Sequence, residues 1–194
     1  MQGQELTSII ALSLAFALWF GAGYRVNVRR KARLIRTLVG LLGEPERYTS
    51  LGSSGFMLSA RRGLVRLSVT LVLGKREFPI MWLVDWLRGR GDRVEVRAVG
   101  PRGEVCVGVT CLNRRSYWGR LLYRGLASGH AWRDIDGWSC RGGRNPLVEE
   151  LRSGEVYAIR VKARKERCYV SVVCAPEELG RVLEAVLAYL GHGA

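Results

Sequence analysis

Residues 6–24 of this chain carry no charge, and no lysine or arginine precedes them. The missing basic residues argue against a cleavable export signal, which places positive charge ahead of a short apolar core. Gly21, Ala22 and Gly23 are small enough for a cleavage site, but the charge lies on the wrong side of the run. The alternatives are that signal and a buried helix of a soluble protein. A run of this length, rich in Ile, Leu, Ala and Phe, reaches about 28 Å as a helix, enough to cross a hydrocarbon core of about 30 Å. Trp19, Phe20 and Tyr24 gather at its far end, where amphipathic rings favour the headgroup layer. The reading adopted is a single-pass transmembrane anchor over residues 1–24.

Histidine and lysine are scarce too, at two and four residues. The five cysteines, Cys106, Cys111, Cys140, Cys168 and Cys174, form no CxxC pair, which excludes the usual zinc spacings. In a cytoplasmic domain they are expected as buried thiols, Cys106 and Cys174 acting as small hydrophobes in strand-like runs. In a hyperthermophile, intracellular disulfides among them would also be possible. Gly52-Ser53-Ser54-Gly55 is neither a nucleophile elbow nor a phosphate loop, because it lacks GxSxG and a following Lys-Ser/Thr pair. No cofactor and no metal are expected. The one cluster from which a metal or acid–base site could be drawn is His130, Asp134 and Asp136. A membrane-anchored enzyme or ligand-binding domain using the 129–142 loop is therefore the alternative to a non-enzymatic protein.

What the chain has in excess is arginine. Residues 25–36 hold six cations, Arg25, Arg29, Arg30, Lys31, Arg33 and Arg36, and from residue 25 onward 31 basic residues face 16 acidic ones. The positive-inside rule puts the amino terminus outside and the C-terminal domain in the cytoplasm. The host is a cell or endoplasmic-reticulum-type membrane. Arginine binds phosphate bidentately and keeps its charge, so the excess points to a polyanion. At a membrane that means anionic lipid headgroups or RNA, ribosomal RNA above all.

The basic segment reads as a helix with an arginine stripe at Arg29, Arg33 and Arg36 and a leucine stripe at Leu34, Leu38 and Leu41, stopped at Gly43-Glu44-Pro45. It forms a juxtamembrane helix and linker over 25–50. Residues 51–194 then show three units of two strands and a helix. The strands fall at 56–60 and 64–73, at 94–99 and 104–112, and at 156–163 and 168–174. The helices contain Ile80 to Leu87, residues 116–126, and Leu179 to Leu190. The second pair reads as a hairpin turning at residues 100–103. Residues 129–152 read as a loop excursion with a short helix at 147–151. The expected fold class is α+β, a two-layer domain with helices on one face of a largely antiparallel sheet.

Basic pairs sit at the expected strand ends and turns: Arg61-Arg62, Lys75-Arg76, Arg114-Arg115 and Arg164-Lys165. Converging on one edge, they would form an RNA- or lipid-binding patch. Trp82 and Trp86 lie one helical turn apart, on a second face of a helix whose apolar face is already supplied, and are candidates for a partner site.

Val69 to Leu87, with its Gly-Lys75-Arg76 turn and apolar helix, followed by Asp92-Arg93-Val94-Glu95-Val96, is similar to the cytosolic domain of the calumin family, coiled-coil-containing subunits of the PAT complex at the eukaryotic protein-conducting channel. The resemblance covers about residues 6–99. It implies a single-pass accessory or adaptor of membrane-protein insertion, associated with an insertase or translocon subunits beside the ribosome exit site.

Overall fold

The computed structural model describes residues 2–88, 91–102, 106–126 and 132–191. The uncharged run and the basic segment form one unbroken helix, α1 (Gln2–Leu42), about 60 Å long. Its first half projects from the domain: Leu6 to Phe20 expose their large apolar side chains, and this stretch is long and apolar enough to cross a membrane. Its second half belongs to a folded domain, with Leu38 and Leu42 buried and Leu34, Ile35 and Leu41 packed beside them. Gly43 ends the helix at a φ of 80°, a left-handed turn that glycine adopts without penalty.

After α1 the chain makes β1 (Arg47–Ser50), β2 (Gly55–Arg62), β3 (Val65–Val72), α2 (Pro79–Leu87), β4 (Arg93–Pro101), β5 (Val109–Asn113) and α3 (Tyr117–Leu126). There follow β6 (Arg133–Ile135), β7 (Trp138–Gly142), α4 (Pro146–Leu151), β8 (Val156–Arg164), β9 (Arg167–Cys174) and α5 (Leu179–Gly191). The strands form one open antiparallel sheet in the order β1-β2-β3-β4-β9-β8-β5-β7-β6. The fold is α+β. The first and third strand–strand–helix units form as expected, because each pairs locally across a tight turn, Arg61↔Arg66 in one and Arg164↔Arg167 in the other.

The second unit is not a hairpin. The free edge of β4 is taken by β9 along its length, from Val94↔Cys174 to Pro101↔Arg167. The chain crosses instead to β5, which lies between β8 and β7. Residues 129–152 hold more than a loop and a short helix, since β6 and β7 pair across a turn at Asp136 and Gly137.

One sheet face carries the core. Leu67, Val69 and Leu71 of β3, Val94 and Val96 of β4, and Val170 and Val172 of β9 meet α5 and the second half of α1. A side chain at Gly100 would press on Leu190 and Val65, so glycine there lets α5 lie close. Asn145 caps α4 by accepting from the Leu147 amide, and its side-chain amide donates to the Val107 carbonyl and the Tyr189 hydroxyl, tying α4 to α5. The helices are not all on one face, however. Leu112 and Ala158 alternate out of that core, yet both are buried beneath α3, whose Trp118 ring lies 4.0 Å from the Arg93 guanidinium.

The cysteines depart from expectation. Only Cys174 is a buried free thiol, and burial, with the nearby Glu178 charge, pushes it up to about 12. Cys111 lies opposite Cys140 in the β5–β7 ladder and bonds to it, and Cys106 bonds to Cys168. The Cys106–Cys168 bridge spans 62 residues of chain, so reducing it frees a long loop in the unfolded state. Its loss in a Cys106→Ser/Cys168→Ser variant should lower the unfolding free energy by about 2–4 kcal/mol, measured by urea titration in mild detergent. Leu38→Ala should cost about 3 kcal/mol in the same assay if the second half of α1 is core rather than tether.

Candidate functional site

Two features of the domain bear on function, a polar clamp at the end of the sheet nearest the exposed half of α1 and a cationic surface beyond it. The clamp forms where α1 enters the domain. Gly23 packs so tightly on the Arg76 backbone that a Cβ there would lie 2.4 Å from the Arg76 carbonyl oxygen. One turn later Asn27, fully buried, donates to the Gly74 carbonyl at 3.0 Å and to Glu77 at 2.8 Å, and accepts from Arg76 at 3.0 Å. Asp92 is the hub. It accepts from Arg30 at 2.6 Å, from both terminal nitrogens of Arg76 at 2.8 and 2.9 Å, and from the Gly74 amide at 2.8 Å. Burial alone would raise the Asp92 carboxyl, but the Arg76 and Gly74 hydrogen bonds and the charges of Arg76 and Arg30 outweigh it and hold it below its ordinary value. Glu77 is held low the same way: burial opposes, and hydrogen bonds led by that from Ser53, with Ser54 and Asn27 adding theirs, prevail.

The clamp decides which of the expected phosphate-binding residues remain available. Arg30 and Arg76 are ion-paired to Asp92. Lys31 donates to the Ser50 hydroxyl and the Gly52 carbonyl and sits over the Tyr48 ring at 5.9 Å. Arg25, Arg29, Arg33 and Arg36 stay exposed on α1. Trp82 lies against Trp19 of α1 at 5.7 Å, while Trp86 stacks on Trp82 and is 65% exposed.

Strand register divides the turn cations between the two ends of the sheet. Lys75, Arg76, Arg114 and Arg115 lie at the clamp end, where β3 and β5 finish. Arg114 is paired with Asp134 at 2.8 Å. Arg61, Arg62, Arg164 and Lys165 lie at the opposite end, at the β2–β3 and β8–β9 turns. Strands of eight residues keep the two ends about 26 Å apart. The single patch expected from sequence is therefore two.

The far end is the stronger one. Arg66, Arg102 and Arg167 join the four turn cations there, all exposed; the acids near them are Glu166 in the β8–β9 turn and Glu184, which lines a groove with Arg62. No ion pair neutralises these cations among the described residues. Two pairs are like-charged and directly opposite across a ladder, Arg61↔Arg66 and Arg164↔Arg167, an arrangement that destabilises a hairpin. The rim continues onto the sheet face that α1 and α5 leave uncovered. There a ladder row runs Ser68, Arg97, Ser171, Arg160, and the next runs Val99, Tyr169, Lys162. Sequence reasoning misses these strand cations, although they occupy the off-beat of each apolar alternation. Glu95 is the one acid in those strands on that face, and Arg97 pairs with it at 2.6 Å.

The 129–142 cluster is not gathered into a site by the described residues. His130 lies outside them. Asp134 accepts from Arg114 and from the Ser139 hydroxyl, Asp136 pairs with Arg152 at 3.0 Å, and both carboxylates are exposed. No group of three metal-ligating side chains occurs among the described residues.

The clamp is testable by acid. A carboxylate held low contributes stability that is full above its unfolded value of 3.8 and is lost as pH falls through the lower folded value. Asp92→Asn should cost about 3 kcal/mol at neutral pH, because it leaves two guanidiniums facing a neutral group. The gap between variant and parent should close as pH drops below about 4, read from urea titrations across that range. Compared with models of known protein families and with curated protein sequences, the chain matches none.

Proposed function

We propose that this chain is a single-pass membrane accessory of membrane-protein insertion, whose domain docks on the ribosome through ribosomal RNA phosphates. The observation that carries this reading is the cationic rim at the far end of the sheet, with its two like-charged cross-strand pairs. Its distance from the clamp, about 26 Å, exceeds the screening length of about 8 Å at physiological salt. Lipid headgroups below the clamp would not feel it, whereas a large polyanion in the cytoplasm would. The clamp-end cations Arg25, Arg29, Lys75 and Arg115 suit the headgroups instead. The resemblance to the calumin family supports the same setting, beside an insertase or channel. The exposed half of α1 is the anchor, and the basic segment after it puts the domain in the cytoplasm.

The disulfides favour a second reading, in which the domain faces an oxidising compartment. Cytoplasmic structural disulfides belong chiefly to hyperthermophiles. Protease added to intact cells or spheroplasts should leave the domain whole in the first reading and degrade it in the second.

Purified chain should co-sediment with ribosomes, with affinity falling steeply as salt rises. Replacing Arg61, Arg62, Arg164 and Lys165 with alanine should weaken binding more than about tenfold and lower the salt slope by about 3. Replacing Lys75 and Arg115, at the other end of the sheet, should leave ribosome binding within about twofold and its salt slope unchanged. Equal weakening by both variants, or none by either, would refute the reading.

A further inference from the structure

Helix α2 is nine residues long, Pro79–Leu87, and buries none of them. Helices α4 and α5 and the second half of α1 bury apolar side chains in the core, whereas this one leaves Ile80 and Leu87 70% exposed, Trp86 65% exposed, and Met81 and Leu83 about half exposed. Water does not favour such a surface on a helix held in place by its neighbours. The helix is held beside α1. Trp82 packs on Trp19, Phe78 meets Phe20 edge-on at 6.2 Å, and the Trp19 indole donates to the Arg76 carbonyl at 2.9 Å. Pro79 starts the helix with its ring at the first turn, where no amide is needed.

We propose that α2 lies in the membrane interface beside α1, its Ile80–Leu83–Leu87 face among the acyl chains, so that the domain sits on the bilayer at a fixed depth. The proposal rests on the reading of α1 as the anchor. Three observations favour lipid as the occupant. The exposed apolar surface of α2 is continuous with that of α1, since Phe16 and Trp19 line one groove with Ile80 and Leu83. Its level fits: Trp19 precedes Arg25, the first cation on α1, by six residues, or about 9 Å along the helix axis, which matches the burial of about 5–10 Å found for interfacial helices. Its ends fit as well, because exposed Lys75 and Arg88 flank it where anionic headgroups would lie. Asp85, the one charge in the helix, has a partner within the protein.

The test uses the full chain in vesicles of phosphatidylcholine with a minority of phosphatidylglycerol. Nitroxide labels are placed at Ile80→Cys, Leu87→Cys, Leu12→Cys in the exposed half of α1, and Arg97→Cys on the open sheet face. The native free thiol, Cys174, is buried and stays protonated, so it does not label. Relaxation by oxygen, which concentrates in hydrocarbon, is compared with relaxation by a water-soluble nickel chelate. The expected result is an oxygen-to-nickel ratio at positions 80 and 87 several-fold above that at 97 and of the same order as at 12. Ratios at 80 and 87 equal to that at 97, with 12 still protected from nickel, would overturn the proposal and leave the anchor standing. Nickel access at 12 would overturn the anchor reading, and this proposal with it. Poor access of both reagents at 80 and 87 would mean burial against another copy of the chain, which also overturns it.

Discussion

Asp92 holds arginines from two separate elements, Arg30 on α1 and Arg76 in the turn before α2. The rest of the molecule takes its orientation from that junction. On one side of it α1 is a bare apolar rod, and on the other the same rod is part of a hydrophobic core. Apolar packing is non-directional, so the leucines farther along α1 would by themselves leave some freedom in its rotation and axial position. The clamp removes that freedom by gripping consecutive turns of one face: Gly23 against backbone, Asn27 in three hydrogen bonds, Arg30 in an ion pair. Buried charge is a poor source of stability, because desolvation offsets most of the attraction. Its value here is geometric, since Arg30 meets Asp92 while Asn27 meets Gly74, Arg76 and Glu77, a combination that ties the rotation and axial position of α1 to the turn before α2.

That fixed axial position gives α2 its setting. The turn that supplies Gly74 and Arg76 to the clamp leads directly into Pro79, so the helix begins within reach of Trp19 and Phe20. Its apolar residues are not a failed core face. The sheet buries none of them, and the helix packed beside α2 is α1. The same reasoning separates α2 from α3, whose Trp118 lies against Arg93 and whose strand neighbours Leu112 and Ala158 are covered.

Much of this is legible in the residues, and what is not has a common cause. The β2–β3 and β8–β9 hairpins show in sequence because apolar alternation on both arms meets across a short polar turn. The long apolar stretch of α1 and its basic sequel show because they are runs. Sequence pairs β4 with β5 wrongly because the true partner, β9, is far along the chain, with Glu95 facing Val173, and nothing local marks that pairing. The same kind of non-local ladder sets Cys111 against Cys140, a bond that cannot be foreseen when β7 reads as loop. Short β1 and β6 expose every residue and so carry no alternation. Among the candidate cations, sequence identifies the turns but not which are already engaged. Arg30 finds Asp92 across 62 residues, and composition cannot distinguish it from Arg29 beside it.

The division of charge follows from strand length. Each turn lies at the end where its strands finish, so the basic turns read in order along the chain fall far, near, near and far from the clamp. Lys75 and Arg115 end at the near side, Arg61, Arg62, Arg164 and Lys165 at the far side. Had the arginine excess been a general surface habit, acidic residues would be expected to intersperse with it, as solubility and folding both favour. They do so at the near end, where Asp92, Asp134 and Asp136 each hold an arginine. At the far rim the described residues place arginine opposite arginine on two separate hairpins, and an anion seated between them would relieve that repulsion. A phosphate backbone would supply such anions at the spacing of successive nucleotides.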